Sequence, residues 1–204
     1  MNKFIKFKVL LTIFSRKRNS KNTFAPITLK GYIIQYVLGF NKSAYWPMHH
    51  SSNVVGVDFI KIGIGSAPGL SHGCYIFAWK GAEVFIGDYT IIAPNVCIAG
   101  FNHSLTDYTI SDINGPLKIG DYCWVGANAV ILPNVELGNH TVVAAGAIVT
   151  KSFPNGYCVI GGNPAKLIRE IPKEECVEHK NEVEYYGYLS KLEFENYQKN
   201  TINY

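Results

Sequence analysis

The 204-residue sequence predicts a mainly β fold, a coil of triangular cross-section, from three features of the stretch 119–153. Four of the six aliphatic repeat positions in this stretch are followed by Gly or Ala, and a second residue of modest size comes four positions into each unit. A period of six fits neither a helix nor a simple strand. It is the period of a coil in which three short strands and their turns complete one circuit. The aliphatic positions recur every six residues, at Ile119, Val125, Ile131, Leu137, Val143 and Val149.

The same period continues upstream and then stops. Roughly 15 residues, Ser104–Lys118, do not fit the repeat and are predicted to leave the coil as a loop. A long loop in a regular repeat is more often functional than structural, which directs attention to its base. The upstream positions, of which Pro68 and Lys80 fit poorly, are Ile62, Pro68, Cys74, Lys80, Ile86, Ile92 and Ile98.

Three segments of the repeat resemble a known family. They are residues 86–90 (IGDYT), 125–129 (VGANA) and 162–166 (GNPAK), which resemble the hexapeptide repeats of left-handed β-helix acetyltransferases. The resemblance is closest to the O-acetyltransferases of bacterial capsule, O-antigen and exopolysaccharide. It implies an all-β, left-handed parallel β-helix with an extruded loop, assembled as a homotrimer and using acetyl-CoA.

The resemblance extends from about residue 51 to Arg169 and suggests three parts. These are a basic N-terminal helical extension (1–50), a β-helix acetyltransferase domain (51–169, with the loop 104–118) and a C-terminal helical extension (170–204). No acidic residue precedes Asp58, whereas residues 1–57 contain nine Lys or Arg. This imbalance sets the N-terminal part apart from the rest of the chain.

The N-terminal extension contains an apolar run, Phe4–Phe14, that is interrupted by lysines. Eleven residues are too few to span a bilayer, so this segment either packs on the end of the β-helix or lies on an anionic membrane surface. The five cysteines form no C-x-x-C pair, which favours a reducing compartment. We therefore expect a cytoplasmic protein, with contact at the inner face of the membrane as an open alternative.

The candidate catalytic residue is His103, at the base of the predicted loop and in an outward position of the repeat. It matches the register of the family's catalytic histidine, and a histidine there can accept a proton from a sugar hydroxyl. Glu136 is expected one coil away on the same face, together with Phe85. Either Glu136 or Asp107 could hold the second imidazole nitrogen, and the sequence leaves both open.

The resemblance also implies a binding site for acetyl-CoA. Backbone groups near Ala127 and Ala145 would meet the pantetheine arm, and cationic side chains would meet the phosphates. No metal is expected, because His49 and His50 are adjacent on a strand and point to opposite faces. The residues that this resemblance assigns to the acetyl-CoA site are Trp124, Ala127, Ala145, Thr150, Lys151, Pro164, Lys166 and Arg169.

Two outer faces of the predicted coil are largely apolar, which favours threefold assembly that covers both. One face has Ile91, Trp124 and Val142, and the other has Cys97, Val130 and Ile148.

The function that the sequence favours is acetyl-CoA-dependent O-acetylation of a carbohydrate hydroxyl, on a surface polysaccharide or its precursor. The alternative within the fold is N-acetylation of an amino sugar or a nucleotide-linked amino sugar. A zinc hydratase on a similar trimeric fold would need three converging histidines, and no second histidine follows closely after His103. A scaffold protein without activity is disfavoured by His103 and by the basic pair Lys166 and Arg169. No nucleic-acid partner is expected.

Overall fold

A computed structural model describes residues 15–18 and 20–200 of the chain. The predicted apolar run Phe4–Phe14 lies outside the described residues. Residues 15–18 are helical, and helix α1 (Leu29–Tyr32) continues as a π-helical turn (Ile33–Val37). Helix α2 (Lys191–Asn200) ends the described chain. Short 3₁₀ turns occur at Val57–Phe59 and Lys173–Glu175.

The strands between these helices are short, mostly two or three residues each. In chain order they are β1 (Asn53–Val55), β2 (Ile60–Ile62), β3 (Tyr75–Phe77), β4 (Val84–Ile86), β5 (Ile91–Ile92), β6 (Cys97–Ala99), β7 (Asn102–His103), β8 (Ser111–Asp112), β9 (Leu117–Ile119), β10 (Trp124–Val125), β11 (Val130–Ile131), β12 (Glu136–Leu137), β13 (Thr141–Val143), β14 (Ile148–Val149), β15 (Cys158–Gly161) and β16 (Lys166–Glu170).

The strands form three parallel sheets that the chain visits in rotation. The first sheet is β1-β3-β6-β11-β14, the second is β16-β15-β13-β10-β5 and the third is β12-β9-β4-β2. From β9 to β14 the chain passes through the third, second and first sheets twice, so three strands complete one coil. Only β16 runs antiparallel to its neighbour in these sheets, within the residues that the structure describes. The result is a parallel β-helix.

The regular part of the coil has the predicted period. Trp124 pairs with Val142 and Val130 pairs with Ile148, so equivalent positions lie 18 residues, or three units of six, apart. All six aliphatic repeat positions from Ile119 to Val149 are at most 2% exposed. Burial of each such side chain stabilises the fold by about 1.5–3 kcal/mol. The prediction of a mainly β chain built on hexapeptide units is confirmed.

The coils before Ile98 depart from that period. Ile76 pairs with Ile98, 22 residues later, and Ile62 pairs with Ile86, 24 residues later. The chain uses the extra residues in wider turns, one of which is closed by a bridge between Trp79 and Ala82. Lys80 lies in that turn and is exposed, so its predicted repeat position was wrong.

The corner between the third and second sheets repeats the pattern Gly-Asp/Asn-aromatic. A Cβ at Gly87 would lie 2.5 Å from the Gly120 carbonyl carbon, so no larger residue fits where the turns stack. The aromatic residue of each turn has a positive φ, and the rings stack 5.0–5.3 Å apart. His140 is buried in this column, where its ring has a structural role. The column consists of Tyr89, Tyr122, His140 and Tyr157.

Candidate active site

The regular coil is interrupted after β6 by a β-hairpin, residues 101–116. Strands β7 and β8 pair antiparallel, with Asn102 opposite Asp112 and His103 opposite Ser111. The chain leaves the coil at Gly100, whose Cβ would lie 2.6 Å from the Phe77 carbonyl oxygen, so glycine is required for this close passage. The ring of Phe101 packs edge-on against Phe77, 5.3 Å between centroids. The base of the hairpin is therefore packed against the end of strand β3 in the first sheet.

The imidazole of His103 is exposed at the base of this hairpin. The expectation that it shares the outer face of the third sheet with Phe85 and Glu136 was wrong. Lys118 occupies that place, because it pairs with Phe85 on one side and Glu136 on the other. The chain re-enters the coil at Leu117, after the hairpin, and this sets the register of the strand.

Each acidic residue considered as a partner for His103 has another partner in the described structure. The Asp107 carboxylate accepts hydrogen bonds from the Thr109 hydroxyl at 2.6 Å and the Thr109 amide at 2.9 Å. These bonds, the hydroxyl first, lower the pKa of Asp107. Glu136 lies 3.7 Å from the Lys118 ammonium. That Asp107 or Glu136 orients His103 stays a prediction.

An aromatic surface flanks the base of the hairpin, and the sequence reasoning missed it. Tyr75 and Phe77 lie 5.0 Å apart, and Phe59 and Trp79 lie 6.1 Å apart. Tyr75 and Trp79 are 43% and 52% exposed. The signal in the sequence is the alternation Tyr75, Phe77, Trp79, which places three rings on one side of an extended chain.

Three of the residues predicted to bind acetyl-CoA meet at the corner between the second and first sheets. The Gly146 amide donates to the Ala127 carbonyl at 2.8 Å, so the turns at Ala127 and Ala145 stack in successive coils. The segment with Pro164 lies beside them, because the Ile148 amide donates to Gly162 and the Ala165 amide donates to Ile148. The peptide bond before Pro164 is cis.

Other predicted residues lie on the outer face of the second sheet. Trp124 pairs with Val142, Val142 with Val159, and Val159 with Arg169, which places Trp124 and Arg169 in one row. At about 4.8 Å per strand, roughly 14 Å separates them. Lys166 lies opposite Gly161 on the same hairpin, and Trp124, Lys166 and Arg169 are all exposed.

Thr150 and Lys151 are the two predicted residues that the structure does not bring to this sheet. They follow β14 and lie at the far side of the first sheet, exposed. The Lys151 ammonium lies 5.6 Å from the centre of the Phe153 ring. A groove of 650 Å³ at this end of the coil is lined by Lys151 and Lys173, among others.

A second groove, of 730 Å³, follows the third sheet and includes Lys118 and Glu136. His103 lines neither of these two grooves, and its side chain is exposed in the single chain. Among residues 15–18 and 20–200, no group of three or more His, Cys, Asp or Glu could hold a metal ion. Within that same part, no helix has the length and apolar character needed to cross a membrane.

The repeat matches a family model, "Bacterial transferase hexapeptide (six repeats)", over residues 116–151. Part of the chain is also similar to curated proteins. It is 38% identical over 91 residues to the galactoside O-acetyltransferase of Escherichia coli K12, covering 43% of this chain and 44% of that one. The predicted resemblance to hexapeptide-repeat acetyltransferases is confirmed.

A second relative is the "Putative colanic acid biosynthesis acetyltransferase WcaF" of Escherichia coli K12, 34% identical over 109 residues, 48% of this chain and 58% of that one. The chain spans about half the length of the curated relatives it matches. Among solved structures, a galactoside acetyltransferase in complex with coenzyme A superposes with a TM-score of 0.58 at 22% identity. That superposition covers 86% of this chain and 85% of the other, and it shows that the two share a fold.

Proposed function

We propose that this protein transfers acetyl from acetyl-CoA to a carbohydrate hydroxyl, on a surface polysaccharide or its precursor. The observation that carries the proposal is His103, exposed on a hairpin that interrupts the hexapeptide coil at one defined edge. The similarity of part of this chain to a galactoside O-acetyltransferase supports the same conclusion. We also propose that the coil is left-handed and that the chain has three parts, with boundaries at residues 50 and 169.

In the proposed reaction His103 is the general base. Its neutral imidazole accepts the proton of the acceptor hydroxyl as the oxygen attacks the thioester carbonyl carbon. The imidazolium then returns the proton to the departing thiolate, so the products are an acetyl ester and free coenzyme A. Asp107 or Glu136 would stabilise the imidazolium by orienting it. No residue needs to be acylated in this direct transfer.

The chemistry of the predicted donor residues fits acetyl-CoA as co-substrate. Ala127 and Ala145 are small, so the turns they occupy leave room for a long, narrow pantetheine arm. The exposed Trp124 offers a ring beside it, and Lys166 and Arg169 are exposed cations on the same sheet, suited to phosphates. Pro164 shapes the adjoining turn. Thr150 and Lys151 would reach the nucleotide only from the far side of the first sheet.

The aromatic surface beside His103 is suited to an acceptor with apolar ring faces. Exposed Tyr75 and Trp79 can pack against the C–H faces of a sugar, while hydroxyl groups stay in water. A polysaccharide has repeating rings of this kind, which is why the proposal names a carbohydrate.

The proposed working unit is a homotrimer. The outer rows of the first and second sheets contain Tyr75 and Trp124, which are 43% and 54% exposed in the single chain. Large apolar side chains on two faces are typical of surfaces that assembly covers. With parallel coil axes a neighbouring subunit would also close the open surface at His103. Cytoplasmic location follows from the donor, which is a cytosolic metabolite.

The test is release of free thiol from acetyl-CoA with a panel of oligosaccharides and their amino-sugar counterparts. We expect thiol release with hydroxyl acceptors and a product whose acetyl group is removed by mild alkali, as an ester is. An alkali-stable product formed only with amino sugars would replace the proposal with N-acetylation. Absence of thiol release with every acceptor would contradict both.

A further inference from the structure

Helix α1 and its π-helical continuation expose an apolar face that the proposed reaction does not use. We define the α1 patch as Leu29, Ile33, Val37, Leu38 and Phe40. These side chains are between 38% and 69% exposed. Contiguous apolar surface of this kind usually marks a binding site.

The opposite side of this helix is held firmly, so the exposure of the patch is built into the fold. The Gln35 side chain is fully buried. Its amide donates to the carbonyl oxygens of Ala44 at 3.0 Å and Trp46 at 2.9 Å, and its oxygen accepts from the Met48 amide. The Tyr36 hydroxyl donates to the Ala44 carbonyl at 2.7 Å. The helix cannot rotate to bury its apolar face without breaking these bonds.

All the charged residues along the chain from Ser15 to Lys42, the segment that contains the α1 patch, are positive. Lys30 lies on the helix and Lys42 follows it, both exposed. The turn that contains Lys17, Arg18 and Lys21 is also exposed. None of these five takes part in an ion pair within the described residues. No acidic residue occurs before Asp58.

We infer that the α1 patch docks on an anionic lipid bilayer. Apolar side chains set among lysines suit such a surface, because the apolar groups enter the headgroup boundary while the cations meet the anionic lipids. A second copy of the chain is a poorer occupant, since a symmetric contact would bring Lys30 and Lys42 close to their own copies.

The position of the patch suits a planar surface. The segment after it caps the first coils, where the Trp46 indole donates to the Pro68 carbonyl at 2.8 Å and the Tyr45 hydroxyl to the Ile62 carbonyl. The hairpin β15–β16, with Lys166 and Arg169, lies at the other end of the coil. In the proposed trimer, three copies of the α1 patch would face the same way and bind the bilayer together. No other step of the inference depends on the trimer.

The experiment is cosedimentation of the full-length protein with vesicles of phosphatidylcholine alone or with one quarter phosphatidylglycerol, at 0.1 and 0.5 M NaCl. The wild-type protein should bind the anionic vesicles and lose binding in high salt. Replacing Val37→Ser and Leu38→Ser together should weaken binding at least about tenfold. The double change Val177→Ser and Leu192→Ser is the matched control, because its side chains are 76% and 66% exposed outside the patch, and it should change binding less than about twofold.

A second variant, Lys30→Gln with Lys42→Gln, should weaken binding to anionic vesicles by about fivefold per lysine and leave neutral vesicles unaffected. The inference fails if the wild-type protein does not bind, or if the Val37/Leu38 variant binds as well as the wild type. It also fails if that variant instead dissociates a larger assembly in the absence of lipid, which would assign the patch to a second copy. Thiol release with a soluble sugar should be equal in all variants, and its absence in the wild type would count against the proposed function alone.

Discussion

The hexapeptide region and the hairpin that interrupts it differ in how far their side chains are buried and in how their strands pair. In residues 117–149 every inward side chain is buried and each strand pairs with a strand of another coil. In residues 101–116 the strands of the hairpin pair with each other and with no other described strand, and Leu105, Tyr108 and Ile110 are 93%, 78% and 56% exposed. Segments with few buried contacts contribute little to global stability and open easily.

The difference teaches where sequence change is tolerated and where it is not. Stability depends on the coil, because its stacked turns leave no room for larger side chains. The hairpin is held at its base by Gly100 and Phe101, and apart from His103 its exposed side chains tolerate change, which suits a segment that meets an acceptor. The predictions below test this division.

The largest expected effect on stability is in the coil. Ile131→Ala should lower the free energy of unfolding by about 2–5 kcal/mol, since Ile131 is fully buried and its loss leaves a cavity. Leu105→Ala, in the hairpin, should change it by less than about 0.5 kcal/mol. Urea unfolding followed by circular dichroism measures both. Equal losses of unfolding free energy at the two positions would contradict the claim that stability depends on the coil and not on the hairpin.

The outer face of the coil should matter to assembly rather than to folding. Val142→Lys would place an unpaired charge in the proposed trimer contact and weaken assembly by about 3 kcal/mol. Sedimentation velocity should show smaller species with reduced activity. Val177→Lys, on an exposed residue away from the sheets, is the control. A fully active monomer would refute the shared-site trimer.

The basic hairpin at the end of the coil should affect the nucleotide and not the chemical step. Lys166→Ala combined with Arg169→Ala should raise the KM for acetyl-CoA by about 30-fold or more, because each of the two charged contacts is worth at least about 1 kcal/mol. A short acetyl thioester without the nucleotide should react as before. Lys191→Ala serves as the control. Equal losses with both donors would remove this pair from the donor site.

The smallest expected effect is at Lys118, the residue found where His103 was expected. Lys118 and Glu136 form an ion pair with both side chains about half exposed, at 50% and 51%. Lys118→Ala should therefore change the free energy of unfolding by less than about 1 kcal/mol. If Glu136 is engaged by Lys118 alone, Glu136→Gln leaves the pH profile of kcat/KM unchanged. A shifted profile would restore Glu136 as the partner of His103.

The sequence predicted the regular coil because aliphatic residues recur at every sixth position from Ile119 to Val149. The sequence marked Lys80 only as a poor fit to the repeat, and it could not show that the early coils have wider turns, which place Lys80 outside the repeat. It placed His103 on the wrong face because the register at Leu117 depends on how the hairpin closes. The alternation Tyr75, Phe77, Trp79 was a signal for the aromatic surface that the sequence reasoning did not use. The exposure of the α1 patch could not be predicted, because it depends on contacts between distant segments.

The central claim is that the coil provides the fold while the hairpin provides the chemistry, and His103 tests it most directly. For His103→Ala we measure kcat by thiol release and the free energy of unfolding on the same preparation, with His72→Ala as the control at an exposed histidine. The account predicts a 10²–10⁴-fold fall in kcat, the usual scale for loss of a general base, with stability changed by less than about 0.5 kcal/mol. Transfer at the wild-type rate, or a loss of stability comparable to that of Ile131→Ala, would contradict it.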